Sequence, residues 1–124
     1  MNDTISDLFV RILNARRAGR DDVNIPFSHV KQGILEVLRE EGYIGDFSVM
    51  NEQKEFTIDL SGADKDFEKI RRVSRPGRRS YVKSKNIPKP KGYGIVILST
   101  PQGILSGRKA KSAGIGGELI CEVF

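Results

Sequence analysis

The spacing of apolar residues changes period partway along this chain, and that change constrains the fold more than any other feature. Ile5, Leu8, Phe9 and Ile12 fall at i, i+3, i+4 and i+7, one face of an amphipathic helix. Thr4, with Asp7 three residues on, marks its start and Gly19 its stop. After the extended piece VNIPF comes Ser28, a good N-cap, and then a second stripe of Val30, Ile34, Val37 and Leu38 that ends at Gly42. From there the period falls to two. DFSVM and EFTIDL alternate apolar with polar around the turn residues NEQK, which predicts a β-hairpin. The two helices need something to cover, and one face of that small sheet is the available partner, so this part reads α-β-α-β-β.

LSGADKDFEKI, where Ser, Gly and Asp cluster without apolar periodicity, reads as a hinge. Beyond it KIRRVS and RRSYVK read as two strands joined by Pro76-Gly77, and YGIVILST as a longer buried strand. A turn at PQG, the strand ILS, a short helix at GRKAKSA and the strand GELICEVF complete the chain. At 124 residues it fits one compact domain or two very small lobes. The expected class is α+β: an α-β-α-β-β N-terminal lobe over residues 1–64 and a mainly β C-terminal lobe with one short helix over 65–124. In the last strand Cys121 alternates with Leu119 and Val123, which predicts a half-buried strand and a thiol packed as a small hydrophobe.

Charge divides along the same line. Residues 1–70 hold nine Lys/Arg and 14 Asp/Glu, a net −5, whereas residues 71–124 hold 12 and two, a net +10. From Arg71 to Lys111 there are 12 basic residues and no acidic one, so a polyanion approaching that half meets uncompensated attraction. Nucleic acid is the leading partner on this reading.

Other chemistries find little support. One Cys and one His, Cys121 and His29, give neither a disulfide framework nor a structural zinc set. The P-loop pattern is absent, and Gly114, Gly116 and Gly117 precede a strand, where the dinucleotide fingerprint requires a helix. His29 follows a helix cap and reads as a surface residue; the pairs Asp21-Asp22 and Glu40-Glu41 are adjacent in sequence and read as solvated. No catalytic residue, cofactor or metal is expected. No apolar run approaches the roughly 18 residues that span a bilayer, and the acidic start MNDTISDLF lacks the basic region of a signal peptide, so a cytosolic location without a membrane partner is expected.

The stretch STPQGILSGRKAKSAGIGGE supplies hydroxyls, glycine-exposed amides and basic side chains, a set suited to phosphates, base edges and the ribose 2′-OH. Glu118 is the single carboxylate there; against RNA it is costly unless it accepts hydrogen bonds from a base amino group. Tyr81 lies among Arg78, Arg79 and Lys83, where an aromatic face either stacks on a base or packs into the β lobe. On the first helix Arg11, Asn14, Arg16 and Arg17 form either a solvated face or a polyanion contact.

GIVILSTPQGILSGRKAK, from Gly94 to Lys111, is similar to the signature of ribosomal protein eight of the small subunit, bacterial type: an aliphatic strand, Ser-Thr, two variable residues, Gly, two aliphatics, four residues and Ala. DLFVRILNA, IPFSHVKQGILEVLREEGYI, RVSRPGRRSY, NIPK and GIGGELICEV agree in order and spacing, so the resemblance covers nearly the whole chain. It implies two small lobes, no cofactor and no enzymatic step. The implied partner is an irregular helix in the central domain of small-subunit rRNA, bound by a monomer beside neighbouring small-subunit proteins, in support of assembly. Repression of translation through the protein's own operon messenger RNA is a further implied role. A free-standing regulator that binds messenger or duplex RNA is the alternative outside the ribosome.

Carried over by matching position, Ser99, Thr100, Gly116, Gly117 and Glu118 would form the main RNA-reading surface, flanked by Tyr81 and Lys83. Arg11, Asn14, Ser28 and Lys31 would meet the RNA backbone from the first lobe. The chain also departs from the family pattern. Pro101 replaces the second Ser of a Ser-Thr-Ser loop, which removes a hydroxyl and fixes φ near about −65°. Ser106-Gly107 stands where Thr-Asp is common, weakening the expected cap of the short helix. His29 replaces a usual Lys, Leu13 a common Arg, and KPKGYG is about one residue short; Arg78, Arg79 and Lys91 add charge that compensates through phosphates.

Overall fold

The structure, a computed structural model, describes residues 4–52, 54–90, 92 and 94–124. Gln53 of the expected hairpin turn, and Lys91 and Tyr93 ahead of the long strand, lie outside the described residues. The chain divides into two compact units, Met1–Asp66 and Phe67–Phe124.

In the first unit α1 (Thr4–Arg17) buries Leu8, Phe9, Ile12 and Ala15 on one face. β1 (Asp22–Pro26) leads to α2 (His29–Glu40), capped by Ser28, whose Oγ accepts the Lys31 N–H at 3.1 Å. Both helices end alike. Gly19 and Gly42 sit at φ +72° and +86°, and the amide after each glycine reaches back to the carbonyl five residues earlier, Arg20 to Ala15 and Tyr43 to Leu38. β2 (Phe47–Met50) and β3 (Glu55–Asp59) form the expected hairpin, and β3 runs between β1 and β2 in an antiparallel sheet ordered β1-β3-β2. Phe56 and Ile58 of β3 are fully buried, with Ile25 of β1 opposite Phe56.

The buried face of α2 differs from expectation by one residue. Val30 is 48% exposed, whereas Lys31 is 4% exposed and buried with Ile34, Leu35 and Leu38. Positions 31, 34, 35 and 38 follow i, i+3, i+4 and i+7, so helical period places the lysine stem in the stripe ahead of the neighbouring valine.

In the second unit β8 (Gly117–Val123) is the organising strand. Along one edge it pairs with β6 (Ile95–Thr100), which in turn pairs with β7 (Gly103–Ser106). Its other edge is shared by β4 (Ile70–Arg72) and β5 (Tyr81–Val82). The two strands read around Pro76-Gly77 therefore do not form a ladder with each other; each pairs with β8, and only Arg75 and Arg78 bridge the turn. α3 (Gly107–Ser112) lies over one sheet face, where Ala110 packs with Ile87, Val96, Leu98 and Leu119. Ser106 caps α3 by accepting the Lys109 N–H at 3.2 Å, which corrects the expected weak cap. Gly107 follows it because a Cβ there would press on Val96 and Ile87 at 3.0 and 3.1 Å.

The last strand is also not the regular half-buried strand expected. Cys121 pairs with Ile97 but Leu119 pairs with Leu98, so Ile120 is an extra residue, a β-bulge. Adjacent residues of β6 point to opposite faces, and cross-strand partners share a face. Leu119 thus joins the core under α3, on the opposite side of the sheet from Cys121. Leu119, Ile120, Cys121 and Val123 are all buried. No helix among the described residues is long and apolar enough to cross a membrane.

Candidate nucleic-acid interface

The bulge sets the arrangement of the candidate site in the second unit. Beyond Ile120, Glu118 lies opposite Ser99 of β6 on one side and opposite Tyr81 of β5 on the other. Three residues singled out from separate stretches of sequence thus form one row across three neighbouring strands, on the face away from the α3 core. Neighbouring strands are about 4.8 Å apart, so the row presents an aromatic ring, a carboxylate and a hydroxyl at regular short intervals. Tyr81 is 71% exposed, which excludes a Tyr packed into the lobe. Among the described residues the Ser99 hydroxyl has no hydrogen-bond partner.

Gly116 and Gly117 lie at the narrow approach of these strands. A Cβ on Gly116 would run into the Val82 carbonyl oxygen and stand 2.8 Å from Lys83 Cα. On Gly117 it would run into the Ser99 carbonyl oxygen and stand 3.1 Å from Thr100 Cα. These glycines let β5 and β6 close on the start of β8, a packing role that composition alone did not indicate. Thr100 also shapes its own turn, since its Oγ1 donates to the Gly103 carbonyl at 2.6 Å and accepts the Gln102 N–H at 3.2 Å. That ring of bonds closes the β6–β7 connection around Pro101.

Glu118 is held from one side. Its Oε2 accepts from the Ser74 hydroxyl at 2.7 Å and from Arg79 Nη1 at 3.0 Å, and neither bond uses Oε1. Ser74 is buried, and its Oγ accepts the Ser80 N–H at 2.8 Å. The Ser74 hydroxyl holds the Glu118 carboxyl below the ordinary glutamate range; burial opposes this, and the Arg79 hydrogen bond and the Arg79 and Arg72 charges assist. Ser74 was missed by sequence reasoning, since it closes the expected strand KIRRVS and nothing in that stretch marks a partner 44 residues later.

The surrounding arginines divide by engagement. Arg71 pairs with Glu122 at 3.2 Å, Arg72 donates to the Ile120 carbonyl at 2.5 Å, and Arg79 pairs with Glu118 at 3.0 Å. Arg75 and Arg78 face each other across the Pro76-Gly77 turn, exposed and without a side-chain partner among the described residues. Lys83 is likewise exposed and unpaired among the described residues.

The candidates of the first unit are engaged in different ways. Arg11 is exposed and pairs with Asp7 one turn earlier at 2.9 Å, and Asn14 is exposed on the same helix. The Ser28 oxygen is taken up by the α2 cap. Lys31 departs from the surface position expected for it. Its Nζ donates to the Pro26 carbonyl at 3.3 Å, and burial lowers its pKa, with the Asp7 charge opposing and the Arg11 charge adding to the drop. One carboxylate thus serves two cations that repel each other. His29, expected at the surface, is exposed with its ring edge-on to Phe27 at 5.1 Å.

Comparison with known proteins fits this architecture. The family described as Ribosomal protein S8 matches residues 3–124. A small ribosomal subunit protein uS8 of Alcanivorax borkumensis is 48% identical over 127 residues, covering 99% of this chain and 98% of the relative. The proteins of the same description from Marinobacter nauticus and Neisseria meningitidis serogroup C are 45% and 46% identical, each covered over 98% of its length. The class is that of ribosomal proteins, with the two-unit α+β build described above. Within that class, the chain belongs to the ribosomal protein S8 family.

Proposed function

We propose that the chain is a structural constituent of the small ribosomal subunit, in bacteria a cytoplasmic particle, and that it acts by binding RNA without a catalytic step. Its target is an irregular helix in the central domain of small-subunit rRNA, whose assembly it supports as a monomer. The observation that carries the reading is the row Tyr81, Glu118, Ser99 on one sheet face. Tyr81 offers a ring for an unstacked base, Glu118 Oε1 an acceptor for a base amino group, and the Ser99 hydroxyl a donor or acceptor for a base edge or ribose. Gly116, Gly117 and Thr100 fix the backbone that carries the row, while Lys83, Arg75 and Arg78 neutralise phosphates. In the first unit Arg11 and Asn14 meet the backbone directly. Lys31 adds positive potential beside Arg11, and an RNA phosphate relieves the repulsion between the two cations. The relatives' description as small ribosomal subunit proteins supports the same reading.

The test is a binding titration against the irregular rRNA helix beside a regular duplex of equal length, at two salt concentrations. Preference for the irregular helix that survives higher salt is the expected result. Equal binding to both, falling steeply with salt, would reduce the protein to a nonspecific polycation. Cosedimentation with small subunits separates a ribosomal constituent from a free-standing regulator of messenger RNA.

A further inference from the structure

We infer that Ser74 is the positioning residue of the reading surface: the buried hydroxyl, rather than the Arg79 guanidinium, fixes the Glu118 carboxylate so that Oε1 faces the ligand. The inference rests on the proposal that Glu118 reads a base.

Three observations lead to it. First, Ser74 is 2% exposed and its hydroxyl is not a free rotor, because Oγ accepts the Ser80 N–H at 2.8 Å and its own proton goes to Glu118 Oε2 at 2.7 Å. Second, the backbone on both sides of this contact is pinned. The Ser74 N–H donates to the Leu119 carbonyl at 3.1 Å and the Leu119 N–H to the Ser80 carbonyl at 2.8 Å. Ser74, Ser80 and the Glu118-Leu119 pair therefore form a closed ring of hydrogen bonds, and the carboxylate is its only member that reaches the row. Third, the competing donor is weakly placed, since the Arg79 side chain is 53% exposed and surface ion pairs of that kind contribute little and are screened by salt. A carboxylate held through one oxygen loses rotational freedom before the ligand arrives, which removes part of the ordering cost of binding.

Ser74 touches no ligand on this account, so it acts on discrimination and not on general affinity. Ser74→Ala, Glu118→Ala, their double variant and Arg79→Gln are titrated against the irregular rRNA helix and the regular duplex. Glu118→Ala is expected to lower the ratio of the two affinities by about 5- to 150-fold. Ser74→Ala is expected to lower that ratio by about 2- to 10-fold, leave duplex affinity unchanged and add nothing in the Glu118→Ala background. Arg79→Gln should weaken both RNAs alike.

A Ser74→Ala protein that melts like wild type and keeps the full ratio overturns the positioning role alone. If Ser74→Ala fails to fold, the exposed-site variant decides. A ratio retained in Arg79→Gln leaves Ser74 as the holder, and a loss matching Glu118→Ala assigns the holding to Arg79 and overturns the inference. An unchanged ratio in Glu118→Ala instead strikes the base-reading role of Glu118, and the role of Ser74 goes with it.

Discussion

Glu118 and Ser99 face each other across neighbouring strands because Ile120 stands outside the ladder between them. Continued without the bulge, the pairing of Cys121 with Ile97 would set Leu119 against Ser99 and turn Glu118 to the α3 face. One extra residue thus does two things: it sends Leu119 into the core with Leu98, and it brings the carboxylate into line with Tyr81 and Ser99. The polar row and the apolar cluster are two faces of one register shift.

The same register demands glycine at the head of β8. A methyl group on Gly117 has nowhere to go except into the Ser99 backbone, and backbone moves less readily than a flexible side chain. Gly117→Ala is expected to lower stability by about 1 to 3 kcal/mol, seen as a lower urea midpoint with an unchanged m-value. An unshifted midpoint would mean that β6 and β8 part there without cost.

Specific and general contributions to RNA binding separate by residue. Glu118→Ala should cost about 1 to 3 kcal/mol of preference for the cognate helix. Lys83→Ala should instead weaken every RNA alike and reduce the salt slope by roughly one phosphate. A Lys83 effect confined to the cognate RNA would contradict its assignment as a backbone contact.

How far these features could be read from sequence depends on whether their cause is local. The helices were legible because their stripes, the Ser28 cap and the glycines at their ends all act within one or two turns. The strands of the second unit were legible as strands, but not their partners: β4 and β5 both pair with a segment more than 30 residues later. The bulge was hidden because Leu119, Cys121 and Val123 alternate as a regular strand would. Of the site, the residue types were visible, but the bonds and close approaches that hold them in place were not. What Ser74, Thr100, Gly116 and Gly117 do is set by atoms that only the folded chain brings near them.

Protonation offers a test of the Glu118 clamp. The Ser74 hydroxyl, against burial and ahead of Arg79, holds the carboxyl below its ordinary value of 4.5. A carboxylate lowered in the folded state stabilises that state above pH 4.5, and the contribution is lost as pH falls through the lower folded value. Wild type should therefore exceed Glu118→Gln in stability by roughly 1 kcal/mol at neutral pH. The gap should hold down to about pH 5 and shrink below it. A gap that persists unchanged into strong acid would show that the difference comes from packing and not from the charge.

Lys31 carries the opposite sign. Burial lowers its pKa from 10.5, Asp7 offsets part of the drop and Arg11 deepens it. Between the folded value and 10.5 the unfolded chain binds the extra proton, so stability rises with pH across that window, and below it the full cost of charging a buried ammonium is present. Lys31→Met keeps an apolar stem in the stripe with Ile34, Leu35 and Leu38 and removes that cost. The variant should melt above wild type at pH 7, with the difference closing as pH approaches 10.5. The same change should weaken RNA binding and flatten its salt dependence, since positive potential beside Arg11 is lost. Thermal melts across that pH range and one salt titration check both halves. A variant that melts below wild type at pH 7 would show that the bond to the Pro26 carbonyl and the attraction of Asp7 outweigh burial, and that this lysine is held in place for the fold.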